Sequence, residues 1–242
     1  MTMDADAKAG YASSSPQRHR QVKSMAGNPT IKSLQAYALI RELILRGELL
    51  PGTRLVLTDL EERLNVGRGP IREAIMRLDR SGLIQNLPYK GAVVAALPGM
   101  REIQHIYDVR VQLECILAAE AMNLAGEKEC AELETMLRGM EEGLSDGVRH
   151  LHPDREFHYA LYRMSGMPHL LNTAAVLADH VEIFLNSRYC GVQDQKTLME
   201  QLRDILQAFR EKDAPRLCAA LKKNILSSLE LIRREMERTG KT

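Results

Sequence analysis

Residues 58–94 read TDLEERLNVGRGPIREAIMRLDRSGLIQNLPYKGAVV, and the rest of the chain is organised around them. Thr58 is placed to cap a short helix, with Glu61 three residues on completing a capping box. Leu60 and Leu64 share one face of that helix. Asn65-Val66-Gly67 supplies a tight turn, because Asn and Gly tolerate the left-handed backbone. A second helix is expected from Arg68 to Ser81, with Pro70 in the first turn, where a missing N–H costs little. Ile71, Ala74, Ile75 and Leu78 repeat at helical spacing and turn inward. Arg68 and Arg72 point elsewhere together, followed by Arg77 and Arg80. Gly82 stops the helix. Leu83–Leu87 and Ala92–Ala95 read as short strands around the turn Pro88-Tyr89-Lys90-Gly91. Helix, turn, helix and two-stranded ribbon in that order make a winged helix-turn-helix, a device for laying one helix in the major groove of DNA.

The chemistry asks for these residue types at these places. An arginine at the leading end of a recognition helix can meet guanine O6 and N7 together, for ~1–3 kcal/mol of discrimination. Backbone N–H groups at a helix N-terminus hold phosphate. Lys90 and Gly91 at the wing tip let the backbone approach the sugar-phosphate chain. Taken alone, two arginines one turn apart are usually solvated charges; inside the whole motif they read as contacts to double-stranded DNA.

Gly52-Thr53-Arg54-Leu55 followed by LNVGRGPIREAIMRLDRSGLI resembles the GntR family of bacterial repressors. The family string usually has Ser where Gly67 stands and often Thr where Gly69 stands. Ser caps a helix better than Gly, though only by a few tenths of a kcal/mol. A missing hydroxyl at Gly69 removes one phosphate or base contact. The resemblance implies DNA contacts at Arg68, Arg72, Gly91 and Thr58. Gly69 at the helix tip and Lys90 on the wing complete the DNA-binding set.

At 242 residues the chain is long enough for two domains. Aromatics are 4% and Trp is absent, while Leu, Ala, Met, Glu and Arg abound, which favours helices. The expected fold is mainly α: an N-terminal winged helix-turn-helix, then an all-helical bundle of about six helices. No apolar run is long enough for a membrane span, and no apolar leader opens the chain, so a cytoplasmic protein is expected. Cys115, Cys130, Cys190 and Cys218 lack CxxC spacing and are expected to be buried, reduced thiols. The near-zero net charge divides unevenly. Residues 28–98 hold ten Lys/Arg against seven Asp/Glu, and residues 99–242 hold 19 against 23. The positive excess lies on the presumed DNA side.

Residues 1–27 read as a disordered arm in which Arg18, His19, Arg20 and Lys23 could follow a groove. A winged-helix domain is expected over 28–97, opened by a helix from Ile31 to Arg46 whose Ala36, Leu39, Ile40, Leu43 and Ile44 face inward, with a short strand at Arg54–Val56. Leu97-Pro98-Gly99 is a hinge. Over 99–238 only helices follow, at 100–125, 127–145, 153–165, 168–189, 195–212 and 214–238.

In the first of these, Arg110 falls within the apolar stripe Ile103, Ile106, Leu113 and Leu117. A guanidinium facing a bundle interior needs an anion. Asp108, Glu114 or Asp154 could supply it, as could a ligand carboxylate, which the planar fork suits. Asp154 and His158 share a face at a spacing that fits a divalent metal, or an internal hydrogen bond that orients a core histidine.

Residues 99–238 also resemble the all-helical effector domain of FadR-type GntR regulators, the FCD domain. Ile106-Tyr107-Asp108-Val109-Arg110 with Leu113-Glu114 echo its start, and Asp154 and His158 match its Asp-x-x-x-His. Many members complete a metal site with two further histidines, and the matching positions here are Leu202 and Asn224. The zinc or nickel site that the resemblance implies is therefore incomplete, with Asp154 and His158 as its metal ligands. The favoured expectation is a metal-free pocket in which Arg110, Asp154, His158 and Asn224 meet a small carboxylated metabolite. His169 and His180 read as surface or core residues. A homodimer on a palindromic operator, controlled by that metabolite, is the functional expectation. Its rivals are a constitutive DNA-binding dimer with a purely structural bundle, and a helical metallo-hydrolase fused to a DNA-binding head. For the latter the sequence offers neither a nucleophile elbow nor a phosphate loop.

Overall fold

Three features of the first hundred residues set the winged-helix end: an inward stripe on the opening helix, a left-handed turn, and a glycine-tipped ribbon. The structure, a computed structural model, describes residues 29–145, 153–186 and 192–239. The 1–27 arm and Cys190 lie outside the described residues. The elements are α1 (Pro29–Leu45), α2 (Leu57–Leu64), α3 (Arg68–Arg80), β1 (Ile84–Leu87), β2 (Gly91–Val94), α4 (Met100–Leu124), α5 (Glu127–Ser145), α6 (Pro153–Arg163), α7 (Pro168–Asn186), α8 (Val192–Arg210) and α9 (Ala214–Thr239).

Ala36, Ile40 and Ile44 of α1 pack with Ile71, Ala74 and Leu78 of α3, and Ile84 and Val94 close the cluster from the ribbon. Asn65 takes φ 51° between α2 and α3. The strands β1 and β2 pair antiparallel from Ile84↔Val94 to Leu87↔Gly91. The expected strand at Arg54–Val56 is reduced to one bridge, Arg54↔Val93. Flanking backbone bonds from Leu55 to Ala92 and from Val94 to Thr53 hold it to the outer side of β2.

Thr58 does not cap α2. The helix already starts at Leu57, with Val56 as an N-cap that makes no side-chain bond. Leu57 packs against the core around α1 and α3, which draws the helix start two residues earlier than the polar pattern suggests. The Thr58 hydroxyl donates instead to Asp59 at 3.2 Å, and Glu61 is bonded to Arg68, so the capping box does not form.

The remaining helices build a bundle. Leu117, Ala121, Leu133, Phe157, Leu161, Leu202, Ile205, Phe209 and Leu221 form its main core, and Ile103, Tyr107, Val181, Ile225 and Leu229 form a second one. On α4 the buried set is Ile103, Tyr107, Glu114, Leu117, Ala118, Ala121 and Met122. The inward face is thus rotated slightly from the expected stripe: Tyr107 and Glu114 replace Ile106 and Leu113, which are only half-buried.

Two cysteines depart from expectation. Cys115 on α4 and Cys218 on α9 are joined in a disulfide with Cα atoms 5.2 Å apart. Only Cys130 remains a buried free thiol among the described residues. The pairing follows from α4 lying directly along α9, an adjacency created by tertiary packing.

Helix α7 ties the bundle to the winged-helix end. Its Ile183 belongs to the core built by α1 and α3. Arg41 of α1 donates to both carboxylate oxygens of Asp179, from Nε at 2.6 Å. Arg155 of α6 reaches the same Asp179 at 2.7 Å and also pairs with Glu182. Gly82, just past the recognition helix, sits at φ +78°, and a Cβ there would come within 2.8 Å of the His180 ring. Gly82→Ala combines a strained backbone with a clash against α7, so it is expected to lower stability by about 1–3 kcal/mol. Denaturant melts of the two proteins check this.

Candidate functional site

The end of α3 presents the first site. Arg68, Gly69 and Arg72 are all exposed. Gly67 caps the helix in extended conformation without a side-chain bond, so the leading N–H groups are left for an outside acceptor. A Cβ at Gly67 or Gly69 would meet nothing within 4 Å, which leaves both positions open to an approaching duplex. Gly67→Ser therefore fits without strain and is expected to raise stability by a few tenths of a kcal/mol through the added cap, read as a small rise in Tm.

Arg68 is not wholly free. Its Nε donates to Glu61 at 2.5 Å, with the side chains 59% and 28% exposed. The ion pair raises the guanidinium above its ordinary pKa. Arg72, one turn along, makes no bond among the described residues. Across the gap stands the wing, with Tyr89 at φ 63° and Gly91 at φ 75°. Lys90 and Gly91 are exposed, and Tyr89 is fully exposed. Thr58 is exposed on α2. In the sequence Tyr89 reads only as part of the wing turn, and nothing there marks it as exposed. Met76 on α3 is also exposed.

The second site is a chain of hydrogen bonds inside the bundle. Arg110 Nε donates to Glu114 at 2.8 Å, and its guanidinium lies over the Tyr107 ring, 5.1 Å from the centroid. The Tyr162 hydroxyl donates to the other Glu114 oxygen at 2.8 Å. Tyr162 Oη lies 3.3 Å from His158 Nδ1. His158 Nε2 meets Asn224 Oδ1 at 2.8 Å, and the Asn224 amide donates to Gln201 at 3.0 Å. Four helices contribute: α4, α6, α8 and α9. Glu114, His158, Gln201 and Asn224 are buried, and Arg110 is the exposed end, at 14%.

Burial alone would lower the Arg110 pKa, but the Glu114 and Tyr107 groups more than offset it and hold the guanidinium above its ordinary value. Burial pushes the Tyr162 hydroxyl well above the usual phenol range, and the Glu114 charge adds to the effect. The site therefore offers a fixed cation and a protonated phenol beside an imidazole and an amide. Glu114 already neutralises that cation, so an anion with further polar groups would share Arg110 with it. The Arg110 contact to Glu114 uses Nε, so the Nη pair is the part of the fork a carboxylate would take.

Of the residues expected at this site, Arg110, His158 and Asn224 lie on one bonded chain, with Glu114 as the Arg110 partner. Asp154 does not join it. It is half-buried in the first turn of α6, while its neighbour Arg155 reaches across to α7. A divalent metal does not fit these residues. Both ring nitrogens of His158 are engaged, Leu202 is buried apolar core, and no three His, Cys, Asp or Glu gather among the described residues. Tyr162 and Gln201 escaped sequence reasoning. Tyr162 lies one turn beyond His158 on the same face of α6, so following that face further would have found it. Nothing in the sequence around Gln201 marks it.

Comparison with known proteins agrees with the two halves. The family described as "Bacterial regulatory proteins, gntR family" matches residues 32–94, and the FCD domain matches residues 105–227. The chain is 28% identical over 211 residues to the HTH-type transcriptional repressor RspR of Escherichia coli K12, covering 85% of this chain and 91% of that protein. It is 27% identical over 188 residues to the HTH-type transcriptional regulator YdhC of Bacillus subtilis 168, covering 76% of this chain and 84% of that one. Among solved structures, E. coli McbR/YncC superposes with a TM-score of 0.77 at 24% identity, over 84% of this chain and 98% of the other. A GntR regulator from Rhodococcus sp. RHA1 superposes at 0.66 with 19% identity, covering 84% and 97%.

Proposed function

The chain belongs to the gntR family of bacterial regulatory proteins and carries an FCD domain, and from that premise we propose that it is a repressor whose hold on a palindromic operator is set by a small organic acid. That it is a DNA-binding transcription regulator and not an enzyme follows from the family. No described helix is long and apolar enough to cross a membrane.

The observation that carries the ligand reading is the bonded chain from Arg110 to Gln201. Four helices commit buried polar groups to a place where apolar packing would have been simpler. An acid carboxylate would take the Nη edge of Arg110, and other polar groups of the same molecule would reach His158, Asn224 and Tyr162 only by replacing the internal bonds those side chains make. The route outward runs through α6 and α7, since Arg155 and Asp179 connect the bundle to Arg41 beneath the recognition helix. A ligand changes operator affinity only through a conformer it binds better, one with a different spacing of two heads. A homodimer supplies the two heads. Val109 and Ile116, two turns apart on α4 and each 50% exposed, give an apolar strip for a second copy.

Thermal-shift screening of organic acids, followed by operator binding by anisotropy, tests the reading. A hit that raises Tm and weakens operator binding supports it. The internal Arg110–Glu114 pair favours a second reading, a constitutive binder with a self-sufficient bundle. A screen without any hit, in a protein that still binds its operator, would establish that instead.

A further inference from the structure

A regulator that binds DNA works where the chromosome is, a compartment whose thiols are kept reduced in most bacteria. A disulfide in such a protein is more often a redox device than a structural staple. Cys115 and Cys218 are separated by 103 residues in sequence but by 5.2 Å between Cα atoms. Each sits half-buried on its helix rather than sealed in the core.

Their position gives the bond a consequence. Cys115 directly follows Glu114, the hub that accepts from both Arg110 and Tyr162. Cys218 precedes Asn224 on α9 by six residues. A second polar tie joins the same two helices more than two turns away, Tyr107 to Ser228 at 3.0 Å. The buried chain has members on both α4 and α9, Glu114 and Asn224, so parting these two helices would open it to a ligand. A covalent link beside Glu114 opposes that separation; two free thiols do not.

We propose that Cys115 and Cys218 form a reversible oxidation site, closed by a hydroperoxide and reopened by a dithiol, that sets whether α4 and α9 can part around the buried polar chain. One thiolate attacks the peroxide O–O bond, becomes a sulfenic acid and releases water or an alcohol. The other thiolate then attacks that sulfur, forms the S–S bond and expels hydroxide, which is protonated to water. Two thiols and one hydroperoxide thus give one disulfide, one alcohol or water, and one further water. Reduction by a dithiol passes through a mixed disulfide and returns two protons and two electrons to the pair. The claim about the thiols stands on the pairing alone. The claim about the pocket rests on the ligand reading above.

The test uses the full chain, reduced with dithiothreitol, desalted, and treated with stoichiometric hydrogen peroxide. Peptide mass mapping should find a Cys115–Cys218 link with a loss of two hydrogens, removed again by dithiothreitol under native conditions. The oxidised protein should melt at least about 5 °C higher, because the link closes a long loop. Amide exchange along 217–229 should slow at least about threefold on oxidation. Cys115→Ser should abolish the link and both differences. Three results would overturn the proposal: thiols that remain free or go to sulfinic acid without linking, a link that dithiothreitol cannot open in the folded protein, or exchange that is equal in the two states. No organic acid enters this experiment, so failure of the ligand screen and failure of the oxidation can be told apart.

Discussion

Arg72→Ala is expected to abolish specific operator binding while leaving secondary structure and self-association unchanged. The side chain is exposed one turn into α3, makes no internal bond among the described residues, and contributes nothing to the core. A bidentate guanine contact is worth ~1–3 kcal/mol, and a dimer loses it twice, so affinity should fall by roughly two to four orders of magnitude. Arg68→Ala should cost less. In the free protein Arg68 is held by Glu61, and that bond must be given up before the guanidinium reaches a base. Solvent screens exposed pairs of this kind, so the penalty for the exchange is small. Glu61→Gln should accordingly tighten DNA binding slightly. Operator titrations at one fixed salt concentration decide the matter. Full affinity in both arginine variants would remove α3 as the reading element.

Arg110→Ala is expected to abolish the response to an organic acid without weakening operator binding in its absence. It also carries a stability cost. Glu114 is 4% exposed, and removing its cation leaves a buried carboxylate with Tyr162 as its remaining donor. Breaking a buried pair typically costs about 3–5 kcal/mol; the lower end applies here because Arg110 is itself part-exposed and water can enter. Arg110→Lys keeps the charge but loses the planar fork, so it should recover much of the stability and little of the response. The two substitutions therefore separate recognition from folding. Thermal melts and ligand titrations on both proteins provide the check. A normal ligand response in Arg110→Ala would move the binding site elsewhere in the bundle.

The DNA-binding end was legible because each of its signals is local. Ile71, Ala74, Ile75 and Leu78 sit within two turns and report their own face; Asn65 and Gly91 report their own backbone. Thr58 misled because a capping pattern is visible in sequence while the burial of Leu57, which moves the helix start, is not. Within the bundle, Arg110 stood out as a charge on an apolar stripe, and Glu114 was one of three candidate partners. Periodicity on α4 alone could not choose among them, since the choice depends on α6 bringing Tyr162 to Glu114. The Cys115–Cys218 and Arg41–Asp179 contacts span 103 and 138 residues. Such pairs appear only once the packing is known, because no periodicity links one helix to another so far away.

Helix α7 gives residues to three apolar clusters: Ala174 to the main bundle core, Val181 to the second core and Ile183 to the core beneath the recognition helix. Its polar side meets Arg41 and Arg155 through Asp179. The two halves of the chain should therefore melt as one calorimetric unit, with a van't Hoff enthalpy matching the measured heat of the whole. A fragment cut at the hinge would lose Ile183 from its interior and leave Arg41 without its carboxylate, so the excised head should be a much weaker folder than its size suggests.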